Sequence, residues 1–142
     1  MQLTKHTDYA FRILTYVASM TEEKTTIQKI SLSLDISKNH LMKIVNRMAS
    51  EGWIDASRGK NGGIKLGIPP ETLSLREVVE VMEQTLAPVN CDSPLCTLNP
   101  HCQLKGILHD AQQAFMQHLG KYTLADLIKK PMPNLIHALE LA

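Results

Sequence analysis

Residues 37–66 read SKNHLMKIVNRMASEGWIDASRGKNGGIKL, and the order of signals in this stretch sets the fold. Ser37 stands just ahead of a helical pattern, where its side-chain oxygen can accept a bond from a free backbone N–H. Leu41, Ile44, Val45 and Met48 then recur at helical spacing as one apolar stripe. Gly52 follows the last turn, as a left-handed C-terminal glycine does. Trp53-Ile54-Asp55-Ala56 and Ile64-Lys65-Leu66 are short strand patterns. Ser57 to Gly63 between them supplies the positive φ angles of a hairpin tip. The stretch predicts a helix over 38–51 followed by a two-stranded β wing over 53–66.

Upstream, Tyr9, Ile13, Tyr16 and Val17 predict a first helix over 4–20, and a polar break follows at 21–24. Ile27, Ile30 and Leu34 predict a short second helix over 27–34, with a tight turn at Asp35-Ile36-Ser37. Helix, short helix, turn, helix and hairpin is the order of a winged helix-turn-helix. Pro69-Pro70 closes that unit, because neither residue extends a helix or strand from within. Downstream, Ser74-Leu75-Arg76-Glu77 has the spacing of a capping box and opens a helix to about Glu83. Residues 87–101 form a loop broken by Pro94 and Pro100. A long amphipathic helix over 102–120 carries Leu104, Ile107, Leu108, Ala111, Phe115 and Leu119 on one face. That face is too long for its own short domain to cover, so it is expected to pack on a second copy and make a dimer. Thr123 to Asp126 is another capping box, starting a helix to about Lys130.

The fold class is therefore mainly α: a winged helix-turn-helix with a two-stranded β wing and a long C-terminal dimerisation helix. The domains read as 1–67 for the winged unit, 68–86 for a linker and short helix, 87–102 for a cysteine loop, and 103–142 for the dimerisation helix and tail.

The 142 residues suffice for one domain with a sizeable core, or a small domain with an appendage. There is no apolar run of membrane-spanning length and no charged-then-apolar leader, so a cytoplasmic protein with reduced thiols is expected. The net charge of +1 conceals an asymmetry. Residues 1–67 carry ten Lys/Arg against six Asp/Glu, and residues 68–142 five against eight, so a half at +4 is joined to a half at −3. A basic front half suits a nucleic-acid module whose back half has a different task. No paired carboxylates and no nucleophile–base arrangement point to an enzyme. Gly59 to Gly63 lies between strands and opens no helix, so it is not a phosphate loop.

Recognition helices place their N-terminal residues on base edges of the major groove. Here these are Ser37, Lys38, Asn39 and His40, with Lys43 one turn on. Asn can bond adenine bidentately, and Lys can bond guanine or a phosphate. At the wing, Arg58, Lys60 and Asn61 are interleaved with glycines on a narrow tip. Such a tip can enter an A·T-rich minor groove. The plainer readings are a solvated helix face and an ordinary hairpin turn.

Cys91, Cys96 and Cys102 are the chain's only cysteines and lie within twelve residues as C-x4-C-x5-C. Their number and crowding argue against a disulfide framework. The absence of C-x2-C disfavours both a zinc knuckle and a thioredoxin-type motif. Crowded thiols on one loop suit a soft metal centre, above all iron. An iron–sulfur cluster wants four ligands, so a fourth must come from elsewhere. Asp8, His6, His101, His109 and Glu83 are candidates, although a first-turn acid such as Asp8 is also explained by the helix dipole.

These residues resemble the iron–sulfur winged-helix repressors of bacteria, and within them the nitric-oxide-sensitive branch. The matching text is Met1-Gln2-Leu3-Thr4, Thr7-Asp8-Tyr9, Ser37 to His40, Arg58 to Ile64, Val89-Asn90-Cys91 with the cysteine triplet, and Tyr122 to Leu127. The resemblance covers residues 1 to about 128. It implies a homodimer on double-stranded operator DNA, with one cluster per chain held by Cys91, Cys96 and Cys102. It further implies Asp8 of the other chain as fourth ligand and nitric oxide as the signal. A sister branch that senses iron–sulfur supply places a histidine three positions after the last cysteine. Lys105 stands there, which favours a [4Fe–4S] over a [2Fe–2S] centre. The function expected is a nitric-oxide-sensing transcriptional repressor. The alternatives are an iron–sulfur-supply sensor with a [2Fe–2S] centre, and a zinc or redox-thiol DNA-binding protein.

Overall fold

Thr4 opens the first helix: its hydroxyl accepts the Thr7 N–H at 3.4 Å, so α1 spans Lys5–Ser19 with Thr4 outside it as the cap. The computed structural model describes residues 2–20 and 23–130. Ala10, Ile13, Leu14, Tyr16 and Val17 of α1 are all buried, which makes this helix the central strut of the core. α2 (Ile27–Leu34) and α3 (Lys38–Ser50) pack beside it, joined by Asp35 in the left-handed conformation (φ 52°, ψ 47°). An aspartate tolerates that conformation better than most residues. The expected stripe of α3 is buried as a set: Leu41, Ile44, Val45 and Met48. Gly52 adopts φ 79° beyond the end of α3, and the Trp53 N–H bonds back to the Met48 carbonyl at 3.0 Å. This is the helix stop that the glycine requires.

That bond shifts the first strand. The Trp53 N–H closes the helix end, so β1 spans Ile54–Ser57, one residue later than the sequence pattern suggests. β2 spans Gly63–Leu66 and pairs antiparallel with β1, Ile54 facing Leu66 and Ser57 facing Gly63. The tip turns on Gly59 at φ 101° and closes with the Gly62 N–H on the Gly59 carbonyl at 2.9 Å. A third segment enters this ladder. Thr25 exchanges two backbone bonds with Ile64, at 2.8 and 2.9 Å, and so ties the loop before α2 to the wing. Lys24 adds a bond from its ammonium to the Asn61 carbonyl at 3.0 Å.

After a 3-10 turn at Pro70–Thr72, α4 (Leu75–Met82) packs on α1 with Leu75, Val78, Val79 and Met82 buried. The expected capping box at its start is not formed. Ser74 caps the Arg76 N–H at 3.2 Å, while Glu77 instead accepts the indole N–H of buried Trp53 at 3.3 Å. The box at Thr123 is formed, with Asp126 accepting the Thr123 N–H at 2.8 Å, and opens α6 (Leu124–Ile128). Backbone bonds Leu75 N–H to Tyr122 and Leu124 N–H to Leu73 stitch α6 to the start of α4. Fully buried Leu124 thereby joins the same core as α1. One core is thus shared across the 67/68 division, with Leu73, Val78, Met82 and Leu124 packed among residues of the winged unit.

α5 (Gln103–Leu119) leaves this body, and among its residues only Gln112 and Met116 are buried. Leu104 and Ile107 are 57% and 63% exposed. The proposed tail at residues 131–142 lies outside the described residues. No helix among the described residues is long and apolar enough to cross a membrane.

Candidate nucleic-acid interface and metal centre

The outer surface of α3 follows from its inner stripe. With Leu41, Ile44, Val45 and Met48 turned to the core, Lys38, Asn39, His40 and Lys43 are left exposed. Ser37 holds the helix start by accepting the His40 N–H at 3.4 Å. At the wing, Arg58, Lys60 and Asn61 are also exposed. The nearby acids are engaged elsewhere: Glu51 with Arg47 at 3.0 Å, and Asp55 with Lys65 at 3.5 Å across the hairpin. All eight residues expected to meet DNA are therefore on the surface, with helix and wing residues on the same winged unit. Arg58→Ala or Lys60→Ala is expected to weaken operator binding and to lower its salt slope by about one unit for a lost phosphate contact. A fluorescence anisotropy titration across a salt series checks this. Unchanged affinity and slope in both variants would remove the wing from the interface.

The cysteine loop between α4 and α5 is held by backbone and side-chain bonds of its own. Asn90 accepts the Asp92 and Ser93 N–H groups at 3.1 Å each and donates to the Ser93 carbonyl at 2.9 Å. The Cys96 N–H bonds the Cys91 carbonyl at 2.9 Å, and the Asn99 N–H bonds the Cys96 carbonyl at 3.1 Å. Cys102 is the cap residue of α5. All three thiols are free and half-buried. Leu95 and Leu98 beside them are 72% and 66% exposed, so the loop presents apolar side chains as well as sulfur.

The donor chemistry fits an iron–sulfur cluster: three soft, accessible sulfurs on one short loop. The single chain does not assemble them into a cage, since no three His, Cys, Asp or Glu side chains among the described residues converge to hold a metal ion. Rearrangement of the loop would then accompany binding, at a cost to the binding energy.

The fourth-ligand candidates fare differently. Asp8 lies in the first turns of α1, and its carboxylate pairs with the Arg12 guanidinium at 2.7 Å. Both partners are about half exposed, so the pair contributes no more than about 1 kcal/mol and is easily exchanged. Arg12 also stacks over the Tyr9 ring, 5.8 Å from its centre. His6, His101 and His109 are exposed.

Glu83 is already occupied. Its carboxylate accepts the Thr4 N–H at 2.8 Å and the Thr4 hydroxyl at 3.1 Å, joining the end of α4 to the cap of α1. Partial burial pushes this carboxyl up, but bonds from Thr7 and Thr4, with the charge of His6, carry it below its ordinary 4.5. A lowered value means that the bond stabilises the fold fully above the ordinary value, and that the contribution is lost as pH falls through the lowered one. Glu83→Ala is expected to cost about 1 kcal/mol at neutral pH, a solvent-screened figure for bonds to a charged acceptor. Urea denaturation of both proteins checks this, and the gap should close in acid. A gap that persisted at acid pH would show that the charge is not what holds Thr4.

The helix order, the paired wing and the exposed recognition face define a winged helix-turn-helix regulator. The profile of the Rrf2 family, described as iron-dependent transcriptional regulators, matches residues 3–130, and the chain belongs to that family. It is a transcriptional regulator and not an enzyme. Solved structures with the same fold include CymR (YrzC), the global cysteine regulator of B. subtilis, at 22% identity and TM-score 0.76, covering 93% of this chain and 99% of that one. CymR of Staphylococcus aureus matches at 20% identity and TM-score 0.74, covering 91% and 99%. IscR of T. potens matches at 18% identity and TM-score 0.73, covering 91% and 87%.

Proposed function

We propose that this regulator is a nitric-oxide-sensing repressor of the NsrR type, a homodimer whose affinity for operator DNA depends on an iron–sulfur cluster, [4Fe–4S] rather than [2Fe–2S]. The observation that carries the reading is the pairing of an exposed recognition helix and wing with three free thiols on one accessible loop of the same chain. Cys91, Cys96 and Cys102 would hold the cluster, and Asp8 of the second copy would complete it. When bound, the cluster supplies iron that a small neutral ligand such as nitric oxide can attack. Lys105 in place of a histidine argues against the iron–sulfur-supply branch.

The dimer is supported by the apolar face of α5, where Leu104 and Ile107 have no cover among the described residues. Each such side chain contributes about 1.5–3 kcal/mol when buried. Two recognition helices would then lie roughly 34 Å apart, one turn of DNA. The domain roles follow: winged unit for DNA, loop 87–102 for sensing, helix from 103 for pairing.

A second reading is a zinc or redox-thiol regulator; its redox form draws on three free thiols on one loop, while its zinc form would need the donors to converge as a cluster does. Anaerobic purification separates the two. A brown dimer with about four irons and matching sulfide per chain supports the first reading. Zinc without sulfide, or a protein whose operator affinity follows thiol oxidation alone, supports the second.

A further inference from the structure

Where the start of α1 meets α3 there is a cavity of about 150 Å³, lined by Lys5, His6, Tyr9, His40, Lys43 and Ile44. The floor is apolar, since Ile44 is buried among the core residues. The cavity's lining surface is mainly apolar; two lysines and two histidines contribute to it, and among the described residues no carboxylate does. Asp8, the acid nearest in sequence, is held by Arg12 instead. Basic groups gathered around a notch without a counter-charge repel one another and favour an anion between them. The volume is roughly that of five water molecules at ~30 Å³ each, enough for one phosphate group and part of its hydration.

The position names the anion. His40 and Lys43 belong to the exposed face of α3, while Lys5 and His6 come from the neighbouring helix. The notch therefore lies at the edge of the reading surface, where a strand flanking the major groove runs when a recognition helix occupies that groove.

We propose that Lys5 and His6 of α1, with His40 and Lys43 of α3, hold one backbone phosphate of DNA at the border of each half-site. The proposal rests on the DNA-reading function above and extends the interface beyond α3 and the wing. A phosphate contact fixes register and carries no sequence information. Its loss should therefore weaken binding equally on every sequence.

The test is Lys5→Ala in the full-length, iron-loaded protein, titrated against a mixed-sequence duplex and against an A·T-rich duplex selected by the wild type. Lys5 is exposed, so the variant should fold as the wild type does. Affinity is expected to fall about tenfold on both duplexes, with the salt slope lower by about one unit. Neutral methylphosphonate placed at one backbone position per half-site should weaken the wild type and leave Lys5→Ala unaffected. If Lys5→Ala matches the wild type while Arg58→Ala is weakened, the notch is overturned and the DNA-reading function stands. If the wild type binds neither duplex, both fall together. If inorganic phosphate, at matched ionic strength, binds the wild type at low concentration and Lys5→Ala still holds DNA normally, the notch serves free phosphate and the DNA assignment is overturned.

Discussion

Replacing Cys91, Cys96 or Cys102 by Ala is expected to abolish retention of iron and sulfide, from about four irons per chain to none, while the fold and dimer survive. The expectation follows from where the thiols stand. No residue of the loop 87–102 belongs to the hydrophobic core, which is built from α1 to α4, the wing and α6. The loop's internal bonds use Asn90 and backbone groups, not sulfur. α5 is anchored in its C-terminal half, where Gln112 and Met116 are buried and where Tyr122 and Leu124, just beyond its end, bond the segment that opens α4, so this anchorage does not depend on the cluster. Losing one of three protein thiolates leaves too few ligands to hold the cluster. Metal analysis, far-ultraviolet circular dichroism and sedimentation velocity together check the result. A variant that lost its helical signal or ran as a monomer would show that the thiols are structural and would count against a sensing role.

The parts of this protein that were legible in its sequence are those set by local chemistry. The stripe of α3 and the stop at Gly52 are read from neighbouring residues, and the structure keeps them. So is the Thr123–Asp126 box, where both partners lie within one turn. Expectations that depend on longer-range partners fail for a physical reason. Ser74 to Glu77 has the spacing of a capping box, yet Glu77 is drawn away by the Trp53 indole, 24 residues earlier. A buried indole N–H without a partner would cost more than the lost box bond. The β1 start moves because Trp53 N–H serves the end of α3. Thr25 carries no strand pattern of its own, and only the proximity of Ile64 makes it a ladder residue.

The candidate site divides in the same way. Exposure of Ser37, Lys38, Asn39, His40 and Lys43 follows from the period of the helix, and the wing residues follow from the hairpin. The basic notch was not legible, because Lys5 and His6 are brought to Lys43 only by the packing of α1 on α3. The Thr4–Glu83 bond, spanning 79 residues, is equally invisible in the sequence. It could have been suspected only from Thr4 as a cap and Glu83 as an acid at a helix end.

Anaerobic titration of the iron-loaded dimer with nitric oxide is expected to weaken operator binding about 100-fold, in step with loss of the cluster's visible absorbance. A change of that size corresponds to ~2.7 kcal/mol of differential stabilisation. Under the proposed function, Asp8 would be the residue through which the chain supplies it. It sits on α1, the strut against which the recognition helix packs. A carboxylate is a harder ligand than a thiolate and a weaker match for iron in a sulfur environment. A carboxylate released from the cluster would have a ready alternative in the Arg12 guanidinium, 2.7 Å away in this structure. That pair is half exposed and worth little on its own, so it would leave Asp8 available to the second chain and could receive the carboxylate afterwards. The tie between one chain's α1 and the other's loop would be gone, and with it the fixed spacing of the two reading heads. Asp8→Ala is the control: its cluster should assemble on the three thiols but decay faster, and its operator affinity should already be lowered before nitric oxide is added. A wild-type protein that loses its cluster to nitric oxide and keeps full operator affinity would falsify the mechanism. An Asp8→Ala variant with wild-type cluster lifetime and affinity would return Asp8 to the role of a first-turn acid and make His101 or His109 the next ligand to test.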